Sequence, residues 1–143
     1  MNNCAFCEVA AGKADAVVLC EDAELMAFLD ITPIRTGHTQ IIPKRHYETF
    51  EVIPSDLAGR ILVLGQEIAK RIKATYGVGH VAFLFTGGDV AHAHAHIVPM
   101  HAKTDVTSAR YMLAAQDVRW GLEHLRADRA TLVAVKAELG FMT

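Results

Sequence analysis

The chain has 143 residues, 52% of them apolar, a mean hydropathy of +0.22 and a formal net charge of −2. This excludes a disordered chain and supplies enough residues for one domain with a real core. The charge balance argues against a duplex nucleic-acid binder, and no apolar run approaches the roughly 20 residues that cross a bilayer.

Residues 4–12 read as a short helix ending at Gly12. It contains the C-x-x-C pair Cys4-Ala5-Phe6-Cys7, and the third cysteine is Cys20. The N-terminus shows no basic leader and no apolar signal core, so the expected location is cytoplasmic and a disulfide framework is not expected. By itself the pair admits a redox dithiol, half of a zinc site, or two unbound thiols. A histidine-rich chain in that compartment favours zinc.

Val17–Cys20 and Leu25–Leu29 read as two strands of a hairpin around Glu21-Asp22. Pro33 and Gly37 mark a loop, and Thr39–Ile42 reads as a third strand ended by Pro43. The clearest helix spans Ser55–Tyr76, with Ser55 as its N-cap and Gly77 as its stop. Leu57, Ile61, Leu64, Ile68 and Ile72 form one apolar stripe along it. A strand is expected at 80–85, then the turn Thr86-Gly87-Gly88-Asp89, then a strand that carries the histidines. Residues 104–127 show no readable period. Asp128 is expected to cap a last helix through Leu132, Val135 and Leu139, with Gly140 as its stop. Strands clustered before and after one long helix indicate an α+β fold with a mainly antiparallel sheet. The expected organisation is a single domain over 1–143, with its core at about 4–101 and a C-terminal extension over 102–143.

His92-Ala93-His94-Ala95-His96-Ile97-Val98 is the most informative segment. On a strand, alternate residues share a face, so three imidazoles line one side and Ala91, Ala93 and Ala95 the other. Neighbouring histidines in such a row lie about 6.6 Å apart and the outer pair about 13 Å apart. Two neighbours can share one metal, whereas His92 and His96 are too far apart, which implies a division of labour. A neutral imidazole, with an unperturbed pKa of about 6.5, is a nucleophile able to attack phosphorus. A neighbouring histidine can hand a proton to the leaving group.

Taken together, the row, Ala27-Phe28-Leu29-Asp30-Ile31-Thr32-Pro33, Gly37-His38-Thr39-Gln40-Ile41-Ile42-Pro43-Lys44-Arg45-His46 and the Cys4/Cys7 pair resemble the histidine triad (HIT) superfamily of nucleotide hydrolases and transferases, in its zinc-containing branch. The resemblance implies a five-stranded antiparallel sheet with flanking helices and a homodimer paired through the long helix and an edge strand. It implies that His94 attacks the α-phosphorus of a nucleotide, AMP or GMP in type, to form a nucleotidyl-histidine, while His96 contacts the phosphate or protonates the leaving group. It places Asp30 on the ribose hydroxyls and Phe28 near the base, with Thr86, Gly88, Asp89 and Val90 of the turn beside the substrate. It also implies a structural zinc on Cys4, Cys7, His46 and His92. His38, His80, His101 and His124 receive no site role and are read as surface or packing positions.

The segment before the triad departs from the family pattern, with Gly88 standing where a phosphate-touching glutamine is usual. That loss motivates an alternative reading, a nucleotide-binding regulatory protein with negligible catalysis. A third is a catalytic zinc enzyme in which His92 and His94 share an open metal site.

Overall fold

The computed structural model describes residues 3–106 and 123–142. Its first helix, α1, spans Ala5–Ala10, and the Cys4 sulfur caps it by accepting the Cys7 N–H at 3.4 Å. The chain then turns at Gly12 with φ at 69°, a left-handed conformation that suits glycine. β1 (Val18–Glu21) and β2 (Leu25–Leu29) form the expected hairpin. Asp22 sets its turn, its carboxylate accepting the N–H groups of Glu24 and Leu25, both at 2.8 Å. β3 (Thr39–Pro43), α2 (Ser55–Tyr76), β4 (His80–Phe85), β5 (Ala95–Met100) and α3 (Arg129–Glu138) follow. The strands form one antiparallel five-stranded sheet in the order β1-β2-β3-β5-β4. This is the α+β architecture read from the sequence.

The start of α2 differs by one position from the expectation. Pro54 is the N-cap, because its carbonyl accepts the first helical bond from the Ala58 N–H at 2.9 Å, and Ser55 is already helical. Gly77 ends the helix with φ at 66°. Leu57, Ile61, Ile68 and Ile72 are buried against Ala27, Leu29, Ile41, Ala95 and Ile97 of the sheet, and Leu64 is half-buried. Each such Leu or Ile side chain contributes about 1.5–3 kcal/mol on burial. Gly65 allows a close approach of helix to sheet, since a Cβ there would lie 2.7 Å from the Phe83 ring. Asp128 caps α3 by accepting the Thr131 N–H at 2.7 Å. Leu132, Val135 and Leu139 of that last turn of chain join the same core, and the Arg71 guanidinium clamps them by bonding the carbonyls of Leu139 and Gly140. Most of 104–127 lies outside the described residues.

The sheet's other side carries the polar row. Gln40 stands opposite Phe28 on β2 and opposite His96 on β5, and Leu84 of β4 stands opposite His96. Directly opposed residues share a face, so these four form one row across the sheet, on the side away from α2.

The histidine segment is only partly a strand. β5 starts at Ala95 because its partner β4 ends at Phe85, opposite Ala95, and the chain then turns away. His92 and His94 therefore lie in an irregular approach to the strand. There the His92 N–H bonds Val90 O at 2.8 Å and the Ala93 N–H bonds Tyr47 O at 2.7 Å. Ala93 and Ala95 are buried as expected, but Ala91 is exposed. His94 and His96 remain neighbours, with ring centroids 4.8 Å apart.

Candidate functional site

Four of the predicted residues converge from three parts of the chain. Cys4 and Cys7 come from the start of α1, His46 from the loop after β3, and His92 from the approach to β5. Their ligand atoms all lie within 4.8 Å of one another. Cys4 Sγ is 3.4 Å from His92 Nδ1, Cys7 Sγ is 3.4 Å from His46 Nδ1, and Cys7 Sγ is 3.6 Å from His92 Nδ1. A tetrahedral zinc with ordinary Zn–S and Zn–N bonds has S···N edges of about 3.6 Å, so the quartet has the spacing of a Cys2His2 centre. The imidazole of His92 is also oriented for it. Nε2 lies 2.8 Å from the Pro43 carbonyl and can only donate there, which leaves Nδ1 with a free lone pair facing the sulfurs. Burial, then hydrogen bonding and charge from Cys4, push the Cys7 thiol up to about 11; a bound dication reverses that balance by holding the thiolate.

His94 is buried, and its Nδ1 lies 2.6 Å from the His92 carbonyl oxygen. A carbonyl accepts only, so Nδ1 carries the proton of the neutral imidazole and its lone pair is on Nε2. The same backbone turn that releases His92 toward the cysteines thus sets the tautomer of His94.

His96 belongs to a different network, which includes His38, a residue the sequence places at the surface or in packing and the structure buries. His38 is 2% exposed, and its Nδ1 accepts the Ile34 backbone N–H at 3.1 Å. Its proton is therefore on Nε2, which lies 2.9 Å from His96 Nδ1. His96 accepts there and presents Nε2–H outward, 3.5 Å from Thr86 Oγ1. Burial holds His38 neutral, lowering its pKa to about 4 against the opposing pull of Asp30. Burial and neighbouring His94 also lower the pKa of His96. A signal for His38 was present in the sequence. His38 and Gln40 flank Thr39 where the chain enters β3, and strand alternation puts the two on one face.

Asp30 lies at the end of β2, 6% exposed. Its Oδ1 accepts the Thr32 N–H at 2.8 Å and the Thr32 hydroxyl at 3.0 Å, and its Oδ2 accepts Gln40 Nε2–H at 2.6 Å. Burial opposes its ionisation, but His38, Thr32 and Gln40 together hold its pKa below the ordinary value.

Asp30, His38 and His96 line a cleft of about 340 Å³ with Thr32, Leu84 and Thr86. His94 lines an adjoining cleft of about 230 Å³ with Phe50, Phe85 and Thr86, so Thr86 stands between the two histidines' spaces. Asp89 reaches the wall of the first cleft, whereas Val90 lines a separate depression beside Cys4 and His46. Gly88 is exposed in the turn. Phe28 meets the Phe6 ring in an edge-to-face contact, with centroids 5.5 Å apart, in a small apolar cluster with Met26 and Ile42. Phe6 also meets His94 edge-on at 5.0 Å. The sequence reading passed over Phe6 because it saw only the cysteines on either side. His80, His101 and His124 are exposed.

At the rim, the Arg35 guanidinium bonds Asp105 through Nε at 2.9 Å and an Nη nitrogen at 2.7 Å, joining the loop after β2 to the segment after β5.

Comparison with known proteins agrees with this geometry. A family model described as HIT domain matches residues 11–103. The chain is 32% identical over 122 residues to the protein hit of Bacillus subtilis, covering 82% of this chain and 84% of that one. It is 32% identical over 103 residues to the adenylylsulfatase HINT3 of Arabidopsis thaliana, covering 68% of this chain and 52% of that protein. Among solved structures, a Zn-bound histidine triad family protein from Mycobacterium smegmatis superposes with a TM-score of 0.71 at 26% identity, covering 96% of this chain and 93% of that one. The matched span, the identity to the Bacillus relative and the shared five-stranded sheet show that this chain belongs to the HIT family.

Proposed function

We propose that the protein is a nucleotide hydrolase or transferase that cleaves at the α-phosphorus of a purine nucleotide conjugate through a nucleotidyl-histidine. The observation that carries this reading is the 2.6 Å hydrogen bond from His94 Nδ1–H to the His92 carbonyl, which makes Nε2 the nucleophilic nitrogen. In the first step a bond forms between Nε2 and phosphorus, and the bond from phosphorus to the leaving group breaks. The Nε2–H of His96, at the end of the chain Ile34 N–H, His38, His96, donates a hydrogen bond to the leaving group, which takes its proton from water. Water or another acceptor then takes the nucleotide from His94, restoring the lone pair on His94 Nε2 and releasing the acceptor's proton to solvent. Asp30 receives the ribose, Phe28 lies under the base with Phe6, and Thr86 and Asp89 border the phosphate. An adenylyl conjugate is the preferred substrate class, in keeping with the name of the plant relative.

Zinc on Cys4, Cys7, His46 and His92 supplies a cross-link that anchors α1 and the approach to β5. It holds the His92 carbonyl where His94 needs it. A homodimer is supported by exposed apolar side chains on α2, Leu62 at 48% and Val63 at 58%, and by the position of β4 as an edge strand. Among the described residues no helix is long and apolar enough to cross a membrane.

The test is turnover of adenylyl conjugates and dinucleoside polyphosphates by wild type and His94→Ala, with mass spectrometry of rapidly quenched wild type. Loss of turnover by about 10³-fold or more, together with an adduct on His94, supports the reading. Full turnover by His94→Ala overturns it. The turn without an amide side chain at Gly88 favours one other reading, a nucleotide-binding protein with negligible catalysis; AMP binding by wild type without turnover of any conjugate would establish that instead.

A further inference from the structure

Among the described residues, Gln40 Oε1 is the buried side-chain polar atom that has no hydrogen-bond partner. Gln40 is 7% exposed and sits in the middle of the polar row, between Phe28 and His96. Its orientation follows from its neighbour. Asp30 Oδ2, 2.6 Å away, is an acceptor, so the amide must turn its nitrogen there and its carbonyl elsewhere. Rotating the amide would set two acceptors against each other. A buried carbonyl left in this state is costly, and such groups call for an explanation.

The hydrogen-bond count at Asp30 supplies one. A carboxylate oxygen accepts about two hydrogen bonds. Oδ1 already has two donors, the N–H and hydroxyl of Thr32. Oδ2 has Gln40 Nε2, with His38 Nε2 at 3.5 Å directed to His96 at 2.9 Å. Asp30 therefore has room for one further donor, on Oδ2, whereas the cis-diol of a ribose brings two. The oxygen and nitrogen of one amide are about 2.2 Å apart by covalent geometry, so Gln40 Oε1 lies within about 5 Å of Asp30 Oδ2. That span suits two hydroxyls on adjacent carbons.

We propose that Gln40 is a specificity-determining residue: Asp30 Oδ2 accepts one ribose hydroxyl and Gln40 Oε1 accepts the other, so that the site reads an intact cis-diol. This rests on the nucleotide reading above and assigns to Gln40 a role separate from holding Asp30. A site with a buried acceptor for each hydroxyl rejects the analogue that lacks either one, because an acceptor is then left unpaired.

The experiment is calorimetric binding of AMP, 2′-deoxy-AMP and 3′-deoxy-AMP to the purified protein and to Gln40→Met, which keeps the chain length and removes the acceptor. Wild type is expected to bind each deoxy analogue about tenfold or more weakly than AMP. Gln40→Met is expected to bind AMP about tenfold more weakly than wild type does. It should lose discrimination against one of the two analogues and keep it against the other. The proposal is overturned if wild type binds either analogue as tightly as AMP, a result that needs no variant. It is also overturned if Gln40→Met leaves AMP binding unchanged, or weakens all three ligands by one factor, which would mean that Gln40 only braces Asp30. Gln40→Leu repeats the cycle if the methionine variant does not fold. Failure of wild type to bind AMP at all would remove the nucleotide reading and this inference together, whereas AMP binding without the selective loss removes only the inference.

Discussion

His38 Nε2 and His96 Nδ1 are 2.9 Å apart, and a backbone N–H on the far side of His38 decides which of the two carries the proton between them. Because Ile34 donates to His38 Nδ1, the neutral His38 donates onward and His96 is left with its proton facing the cleft. A histidine with no role in the sequence reading thereby orients the proposed hydrogen-bond donor to the leaving group.

The first prediction concerns that orientation. His38→Ala removes the donor and frees His96 to adopt either tautomer. Turnover is expected to fall by about 10- to 100-fold, the usual cost of removing an orienting partner, with KM much less affected. His38→Gln retains an N–H donor and should recover part of kcat. Steady-state kinetics of the two variants check this; equal losses in both would mean that only the shape of His38 matters.

His38 also makes stability depend on pH. Its folded pKa, lowered to about 4 by burial, lies below the ordinary value of about 6.5 in an unfolded chain. Between those values the unfolded chain binds a proton at this position and the folded chain does not, so stability falls as the pH falls through that window. The slope from this one group is at most about 1.4 kcal/mol per pH unit. Urea denaturation between pH 7 and pH 4 should show a steeper loss for wild type than for His38→Gln, which has no group to titrate there.

For the metal, the expected content is one zinc per chain in wild type and in His94→Ala, and none in Cys4→Ser/Cys7→Ser, by elemental analysis of purified protein. Chelation should lower the melting temperature of wild type, because a ligand held by the folded chain alone stabilises it by mass action. The double-serine variant should melt low and ignore the chelator. Zinc retained without the cysteines would point to a site built from histidines.

Gly88 offers a gain-of-function test. Its φ is not positive, and a Cβ added there meets nothing within 4 Å, so Gly88→Gln should change stability by less than about 0.5 kcal/mol. If the amide usual at this place in the family contributes to phosphate binding, the variant should raise kcat/KM several-fold on adenylyl conjugates. The neighbouring Gly87, with φ at 68°, should instead lose stability on the same substitution.

Much of the fold was legible because it is local. The hairpin turn at Asp22, the stripe of α2 with Gly77 as its stop, and the Asp128 cap of α3 all depend on residues within a few positions of each other. The errors were of two kinds. The N-cap of α2 moved from Ser55 to Pro54 because a carbonyl, not a side chain, opens that helix. The histidine strand lost its first two histidines because strand pairing is set by the partner, and β4 ends at Phe85. His38 received no site role from the sequence because nothing near it in the chain reveals Asp30 or His96 as its neighbours.

By itself the sequence determined the chemistry on offer: alternating histidines, a cysteine pair, an aspartate after a buried strand, and a family pattern specific enough to name the fold. Residue type and short spacing carry that information, since they decide local geometry and reactivity. The resemblance assigned a role to each imidazole of the row, and the tertiary structure supplied the contacts that bear on it. Pro43 takes the other nitrogen of His92, the His92 carbonyl takes Nδ1 of His94, and His38 occupies the inner face of His96. Gln40 acquired a free carbonyl because Asp30 claims its amide nitrogen. A tautomer or an unpaired acceptor is a property of which partners meet: His94 finds its own two residues away, but those of Gln40, His92 and His96 lie 10 to 58 residues away and meet only when the sheet is assembled.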